Sequence, residues 1–274
     1  MKLGTLIRQT ERRLRAARLH YGHGTDNAHD EAAFLVLRGL GLPFDADLER
    51  SARPERVEAL VRRRIEERIP AAYLLKEAWL DGARFYVDRR VIIPRSHIAF
   101  LLKELRVTPK RVLDLCTGSG CLAILASRNF PNAEIDAVDI SKDALDVAAR
   151  NVRDYGLTNR LTLYRGDLFK PLDGKRYDLI ISNPPYVDAE GMAGLPRECR
   201  AEPKLAFDGG ADGLDIVRRI LDEAQAHLTP QGGLLCEIGR CRPQLEAAYP
   251  ELPLLWLDTE DSEGEVFWIA AADL

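Results

Sequence analysis

The chain has 274 residues, 46% of them hydrophobic and 30% charged, and a net charge of -4. That length can bury one large core or two smaller ones. The composition excludes a disordered or fibrous chain, and the negative balance argues against a protein that lives on bulk nucleic acid.

Residues 1–76 read as a small helical domain. In "LIRQTERRLRAARL", Leu3, Leu6, Ile7, Thr10, Leu14 and Ala17 fall near one face. The first twenty residues carry six basic side chains (Lys2, Arg8, Arg12, Arg13, Arg15, Arg18) against Glu11 alone. Such a face can touch phosphate, although a solvated helix surface is the commoner outcome. "YGHGTDNAHDEAAFLVLRGLGL" reads as a loop and a second helix, with Thr25 or Asp26 as its cap and Gly39 or Gly41 at its end. "RPERVEALVRRRIEERIP" is a third helix, with Val57, Leu60, Val61, Ile65 and the Arg64 stem turned inward and Pro70 as its stop. His23, Asp26, His29 and Asp30 lie close in sequence, but Asp and His at a helix start cap and hydrogen-bond locally, so no metal is expected there.

Residues 77–95 change period. Phe85, Val87 and residues 91–93 look strand-like around an Asp81-Gly82 turn, which predicts a hairpin linker. Residues 96–105 read as a helix. From residue 111 strands and helices alternate: "RVLDLCT", "AEIDAVDI", "LTLYRGD", "YDLIISN" and "GGLLCEIG" as strands, with helices between most of them. This pattern predicts an α/β domain over residues 96–274, a mostly parallel sheet covered on both faces. The last two strands, "PLLWLDT" and "GEVFWIAA", are joined too closely for a crossover and are expected to pair antiparallel.

"VLDLCTGSGCLA" places Gly118-x-Gly120 between a strand and a helix, with Asp139 about twenty residues on. That spacing suits a nucleoside-containing cofactor, and NAD and S-adenosylmethionine (AdoMet) both satisfy it. Asp114 inside the first strand favours AdoMet, because its carboxylate repels a pyrophosphate and attracts an ammonium or sulfonium. Asp139 is then placed to accept from ribose hydroxyls, and Asp167 from the adenine amino group, with Leu168 and Phe169 against the ring. Cys116 and Cys121 are spaced C-x4-C, as are Cys236 and Cys241, which is not the spacing of a zinc site. Five cysteines, with no leader peptide ahead of them and no apolar run of membrane-span length, predict a cytoplasmic protein without a membrane partner.

"NPPY", Asn183 to Tyr186, follows the fourth strand of this domain. Pro184 bars the helical region to Asn183, and neither proline has an N–H. The segment is therefore stiff, and its polar groups are mostly acceptors. The Asn183 side-chain oxygen and the Pro184 carbonyl suit the two hydrogens of a planar amino group, with Tyr186 to stack on it. Two acceptors on a conjugated, weakly nucleophilic nitrogen would orient it for methyl transfer without a dedicated base.

"NPPY" resembles the amino methyltransferases that use AdoMet. "CTGSGC", "DAVDIS", "NPPYVDAEGM", "EPKLAF" and "GADGLDIVRRIL" resemble the protein-(glutamine-N5) methyltransferase family of release factors and ribosomal proteins. "YGHGTDN", "ERIPAAYL" and "FYVDRRVIIPRS" resemble the branch acting on large-subunit ribosomal protein L-three. The resemblance runs from about residue 21 to the end. It implies a Rossmann-like, seven-stranded AdoMet-dependent methyltransferase domain behind helices that select the protein substrate, free or assembling with its ribosomal RNA. It assigns AdoMet to Cys116, Thr117, Gly118, Ser119, Gly120, Asp139, Ile140, Asp167, Leu168 and Asn183, and the glutamine amide to Asn183, Pro184, Pro185 and Tyr186. Departures are Cys116, where the release-factor branch carries Gly, and His97 and Phe100, where relatives tend to carry Pro and Glu.

Two rival readings stand beside this one. An adenine or guanine methylase would need a phosphate-tracking surface, yet residues 71–274 carry 25 basic against 32 acidic side chains. A non-catalytic scaffold would not need an intact "NPPY" and glycine loop.

Overall fold

The computed structural model describes all 274 residues. Four helices come first: α1 (Leu3–Ala16), α2 (Ala28–Gly39), α3 (Glu58–Glu66) and α4 (Ala71–Leu75). The apolar face expected on α1 is the buried one, with Leu3, Leu6, Ile7, Thr10 and Leu14 turned inward. The cap of α2 is neither Thr25 nor Asp26 but Asn27, whose Oδ1 accepts the Asp30 N–H at 3.0 Å. In α3 Arg64 is buried whole, guanidinium included, rather than by its stem alone. These helices share an apolar core of their own, built on Leu3, Leu14, Leu35 and Val57.

The hairpin is shorter than its sequence suggests. β1 (Ala78–Leu80) pairs antiparallel with β2 (Ala83–Phe85) across Asp81-Gly82. Residues 91–95 form no strand. Pro94 has no N–H for a ladder, and the Ile93 N–H goes to the Glu202 side chain instead. The helix expected over residues 96–105 is one turn, α5 (Ile98–Leu101), followed by turns.

The remaining elements are β3 (Arg111–Leu115), α6 (Cys121–Asn129), β4 (Glu134–Asp139), α7 (Lys142–Asp154), β5 (Leu161–Arg165), β6 (Tyr177–Ser182), α8 (Ala189–Gly194), α9 (Asp215–Ala224), β7 (Leu228–Glu237), α10 (Arg242–Ala248), β8 (Leu255–Thr259) and β9 (Ser262–Ala270). The strand order is β5-β4-β3-β6-β7-β9-β8. β3, β4, β5, β6 and β7 run parallel, and β9 lies antiparallel between β7 and β8. Val112, Ile135 and Leu179 face one apolar layer, which the hairpin, α5 and α6 complete. Leu113, Ile180 and Leu234 face the other, against α9. Burial of both faces is why these strands read as continuous apolar runs.

The chain leaves β3 towards β4 and β5, then returns to build β6 and β7 on the other side. Connections diverge there, and a crevice opens at the carboxyl ends of the strands.

Candidate active site

A cavity of about 350 Å³ occupies that crevice. Cys116, Gly118, Asp139, Ile140, Asp167, Leu168 and residues 183–186 line it, so the ends of β3, β4, β5 and β6 converge on one space. Arg95, Leu205 and Phe207 line it as well.

The glycine loop is locked by carboxylates beneath it. Asp139 Oδ2 accepts the Gly118 N–H and Oδ1 accepts the Ser141 N–H, both at 2.8 Å. Burial raises the Asp139 carboxyl, against the opposing pull of these two backbone bonds. Each oxygen keeps a lone pair, so the group can still accept from a diol. Cys116 adopts φ 60°, a left-handed conformation that costs a non-glycine residue energy; a glycine there would be strain-free. Gly120, at φ 79°, leaves little room for a side chain, since a Cβ would lie 3.3 Å from Ala148 Cβ on α7.

Three expectations need correction. Asp114 does not line the cavity: it is fully buried, and its Oδ2 accepts from Thr117 Oγ1 at 2.6 Å and the Ala123 N–H at 3.1 Å. It braces the loop rather than facing a ligand. Thr117, Ser119 and Gly120 are likewise outside the lining. Asp167 lines the cavity, its carboxylate paired with Arg219 Nη2 at 2.8 Å and Lys170 Nζ at 2.7 Å. Lys170 and then Arg219 hold it below the usual range. Phe169 is buried against the His227 ring at 4.6 Å and is no part of the cavity wall. Ile140, by contrast, stands 52% exposed at the cavity edge, a flat apolar surface beside Asp139.

Asp114 carries a pH signature. Burial raises its carboxyl to about 7. The folded state therefore favours the protonated form, so this group's stabilising contribution is full below about pH 4 and is lost as pH rises through about 7. Asp114→Asn should gain stability relative to the parent across that window, by roughly 2–4 kcal/mol at about 1.4 kcal/mol per pH unit. Urea unfolding of both proteins from pH 4 to 8 checks this; a constant difference would refute it.

Asn183 directly follows β6, its Nδ2 donating to the Arg95 carbonyl at 3.2 Å, which leaves Oδ1 without a protein partner. Tyr186 is fixed from several sides. Its hydroxyl donates to Glu237 Oε1 at 3.2 Å, and its carbonyl accepts from Cys241 Sγ at 3.2 Å. Burial and then Glu237 push its phenol well above the usual value, so it stays neutral. Glu237 also accepts from Ser96 Oγ at 2.6 Å and the His97 N–H at 2.9 Å. A carboxylate thus stands behind the site although Phe100 does not supply one.

Close packing explains the glycines of "DGGADGL". A Cβ on Gly209 would lie 2.7 Å from Tyr186 Cα, and one on Gly213 would lie 2.5 Å from the Tyr186 carbonyl oxygen. Gly239, at φ 50°, backs the ring itself, 2.6 Å from Cε2 to a built Cβ. Gly239→Ala should displace the ring and lower turnover about 10- to 100-fold with cofactor affinity nearly unchanged. Steady-state kinetics with equilibrium binding would show it, and unaltered turnover would contradict it.

Sequence reasoning missed Asn151, Glu202 and Glu237. Asn151 is buried on α7, donating to the Ser119 carbonyl at 2.8 Å and the Tyr86 carbonyl at 3.0 Å while accepting the Tyr86 N–H at 2.8 Å. It ties the glycine loop to the segment after the hairpin. A buried asparagine in an otherwise apolar helix face was the available signal. The His23–Asp30 group disperses: His29 meets Glu11 at 3.0 Å, and Asp30 caps against Asn27. His23 instead joins Cys199 and Glu202 in a buried cluster whose donor atoms lie within 4.8 Å of one another. Arg95 already sits on that Glu202 carboxylate and supplies its counter-charge.

Residues 97–194 match the family model described as "Methyltransferase small domain". The chain is similar to a methyltransferase structure from Pyrococcus furiosus, with TM-score 0.52 and 17% identity, over 70% of this chain and 90% of that one. At that identity the likeness shows the fold, a Rossmann-like methyltransferase sheet. Curated relatives are far nearer in sequence. The ribosomal protein uL3 glutamine methyltransferase of Bradyrhizobium diazoefficiens is 59% identical, over 98% of this chain and 90% of its own. The Bordetella pertussis protein of the same description is 53% identical, over 99% and 96%. With a cleft of this build, a methyltransferase sheet and that degree of identity over nearly its whole length, the chain belongs to the family of ribosomal protein uL3 glutamine methyltransferases.

Proposed function

We propose that the protein transfers a methyl group from AdoMet to the side-chain amide nitrogen of a glutamine in ribosomal protein uL3. The observation that carries this is the Asn183 amide, tied by Nδ2 to the Arg95 carbonyl with its oxygen left unpaired on the cavity wall. Asp139 and Ile140, beside Gly118 on the cavity wall, fit a ribose and an adenine. AdoMet, when bound, supplies an electrophilic methyl.

The chain's own residues then do four things. Asn183 Oδ1 and the Pro184 carbonyl accept from the two amide hydrogens and fix the nitrogen. This sharpens its orientation and enriches a lone pair otherwise delocalised into the carbonyl. Tyr186, neutral and held by Glu237, offers an aromatic face to the amide plane. Leu205 and Phe207 add apolar surface to the cavity lining. The helices α1 to α3 select the protein, and the exposed Arg12 and Arg18 of the amino-terminal region offer charge to ribosomal RNA in an assembling particle. A cytoplasmic setting belongs to the same proposal.

Purified protein, AdoMet and uL3, with and without an rRNA fragment, should yield one added methyl on a single glutamine by mass spectrometry. Methyl appearing only on nucleic acid, or only on a release factor, would overturn the assignment.

A further inference from the structure

Val91, Ile92 and Arg95 line the cavity, and residues 91–95 belong to no strand. Side chains hold them instead. The Tyr73 hydroxyl donates to the Val91 carbonyl. The Ile93 N–H donates to Glu202 Oε2 at 2.9 Å. The Arg95 carbonyl takes the Asn183 amide hydrogen at 3.2 Å.

The Arg95 guanidinium forks onto the same carboxylate, Nη1 to Oε2 and Nη2 to Oε1, each at 3.1 Å. The fork lies 5.6 Å over the Phe207 ring. His23 Nε2 lies 3.1 Å from Glu202 Oε1, and the Glu202 side chain is 0% exposed. Burial acts to raise this carboxyl, but His23 and Arg95 outweigh it and keep it below the usual range. Glu202 is therefore a charged, buried anchor under the wall, forked by Arg95 and bonded singly by His23 and the Ile93 N–H.

An asparagine amide has two ends of nearly equal shape and opposite hydrogen-bonding sense. A clamp for an –NH2 group needs the oxygen end outward. The Arg95 carbonyl can only accept, so it can hold only the nitrogen end of Asn183. Where that carbonyl sits depends on the fork to Glu202 and on the Ile93 bond to it. We propose that Glu202, acting through Arg95 and residues 93–95, is the positioning residue that sets which end of the Asn183 amide faces the substrate. This rests on the amide-clamp reading above. Glu202 itself touches no reacting atom.

The same segment is fastened to the helical layer. Glu198 Oε1 accepts the His20 N–H at 3.1 Å, with Arg68 Nη1 at 3.3 Å and Arg64 Nη1 at 3.5 Å. Residues 198–202 thus form one strut between the amino-terminal helices and the amide clamp.

Glu202→Ala removes the acceptor for Ile93 and the fork for Arg95; Glu202→Gln keeps an acceptor and loses the charge. Turnover on uL3 should fall about 100-fold in the first and about tenfold in the second, with the KM for AdoMet changed less than about threefold. A merely structural role would lower Tm, AdoMet affinity and kcat together and give no partial rescue by glutamine. A second readout needs no substrate. In the AdoMet-saturated protein, the two Asn183 side-chain NH2 resonances, identified by their loss in Asn183→Asp, should show one hydrogen protected in the parent and neither in Glu202→Ala. Parent-like protection in Glu202→Ala overturns the inference. Failure of the parent to methylate uL3 would count against the functional reading, while the amide resonances still decide this one. If Glu202→Ala does not fold, Arg95→Lys breaks the fork, retains the carbonyl and gives the same two readouts.

Discussion

Asn183→Ala should lower kcat on uL3 by about 100- to 1,000-fold, the usual cost of removing one preorganised hydrogen-bond group aimed at the reacting centre. AdoMet affinity should fall less than about tenfold, because Asp139, Ile140 and the glycine loop hold their positions without it. The expected signature is therefore a loss in kcat and kcat/KM together, which marks an interaction realised in the transition state. Asn183→Asp should be nearly as damaging. It keeps an oxygen for the substrate but sets a second oxygen against the Arg95 carbonyl, where Nδ2 now donates at 3.2 Å. Single-turnover kinetics with AdoMet binding measured separately would check both. Turnover within about threefold of the parent in Asn183→Ala would refute the amide clamp.

The second large effect is on stability. Arg64 is fully buried and donates to Glu31 Oε1 at 2.7 Å and the His20 carbonyl at 2.8 Å. Arg64→Met should destabilise the fold by about 3–5 kcal/mol, because it strands Glu31 in an apolar interior. Burial already raises the Glu31 carboxyl, with Arg64 opposing. A raised folded-state pKa means stability that is present at low pH and lost as pH rises through it. Without Arg64 that loss deepens, so the defect should be larger at pH 8 than at pH 5. The double variant Glu31→Gln, Arg64→Met should recover much of it. Urea midpoints at the two pH values test the pattern; a defect independent of pH would argue against a stranded charge.

Periodicity made the sheet legible. The runs at 111–115, 134–139 and 177–182 carry apolar residues on both faces because both faces of the sheet are covered, and the close spacing of the last two strands fixed their antiparallel pairing. Composition could not reveal that Asp114 lies under the glycine loop instead of beside the ligand, since both placements put an acid in the same strand. Nor could it show that Asp167 is already paired, because Arg219 arrives from α9, some fifty residues later. Residues 91–93 carry strand-forming side chains, yet long-range bonds from Tyr73 and Glu202 override that local preference. "NPPY" was the most legible feature because its stiffness is local to the chain. What fixes the orientation of Asn183 was not, because it depends on residues 95 and 202.

The charges that fasten residues 198–202 bear on modularity. Arg64 and Arg68 stand on the helical side, and Glu198 on the catalytic side. The amino-terminal helices are therefore not an interchangeable targeting cassette. A chimera that exchanged residues 1–76 alone between relatives would place mismatched charges in a dry seam. One that carried residues 197–206 along with them would keep both halves of the joint, and with it the shape of the catalytic wall.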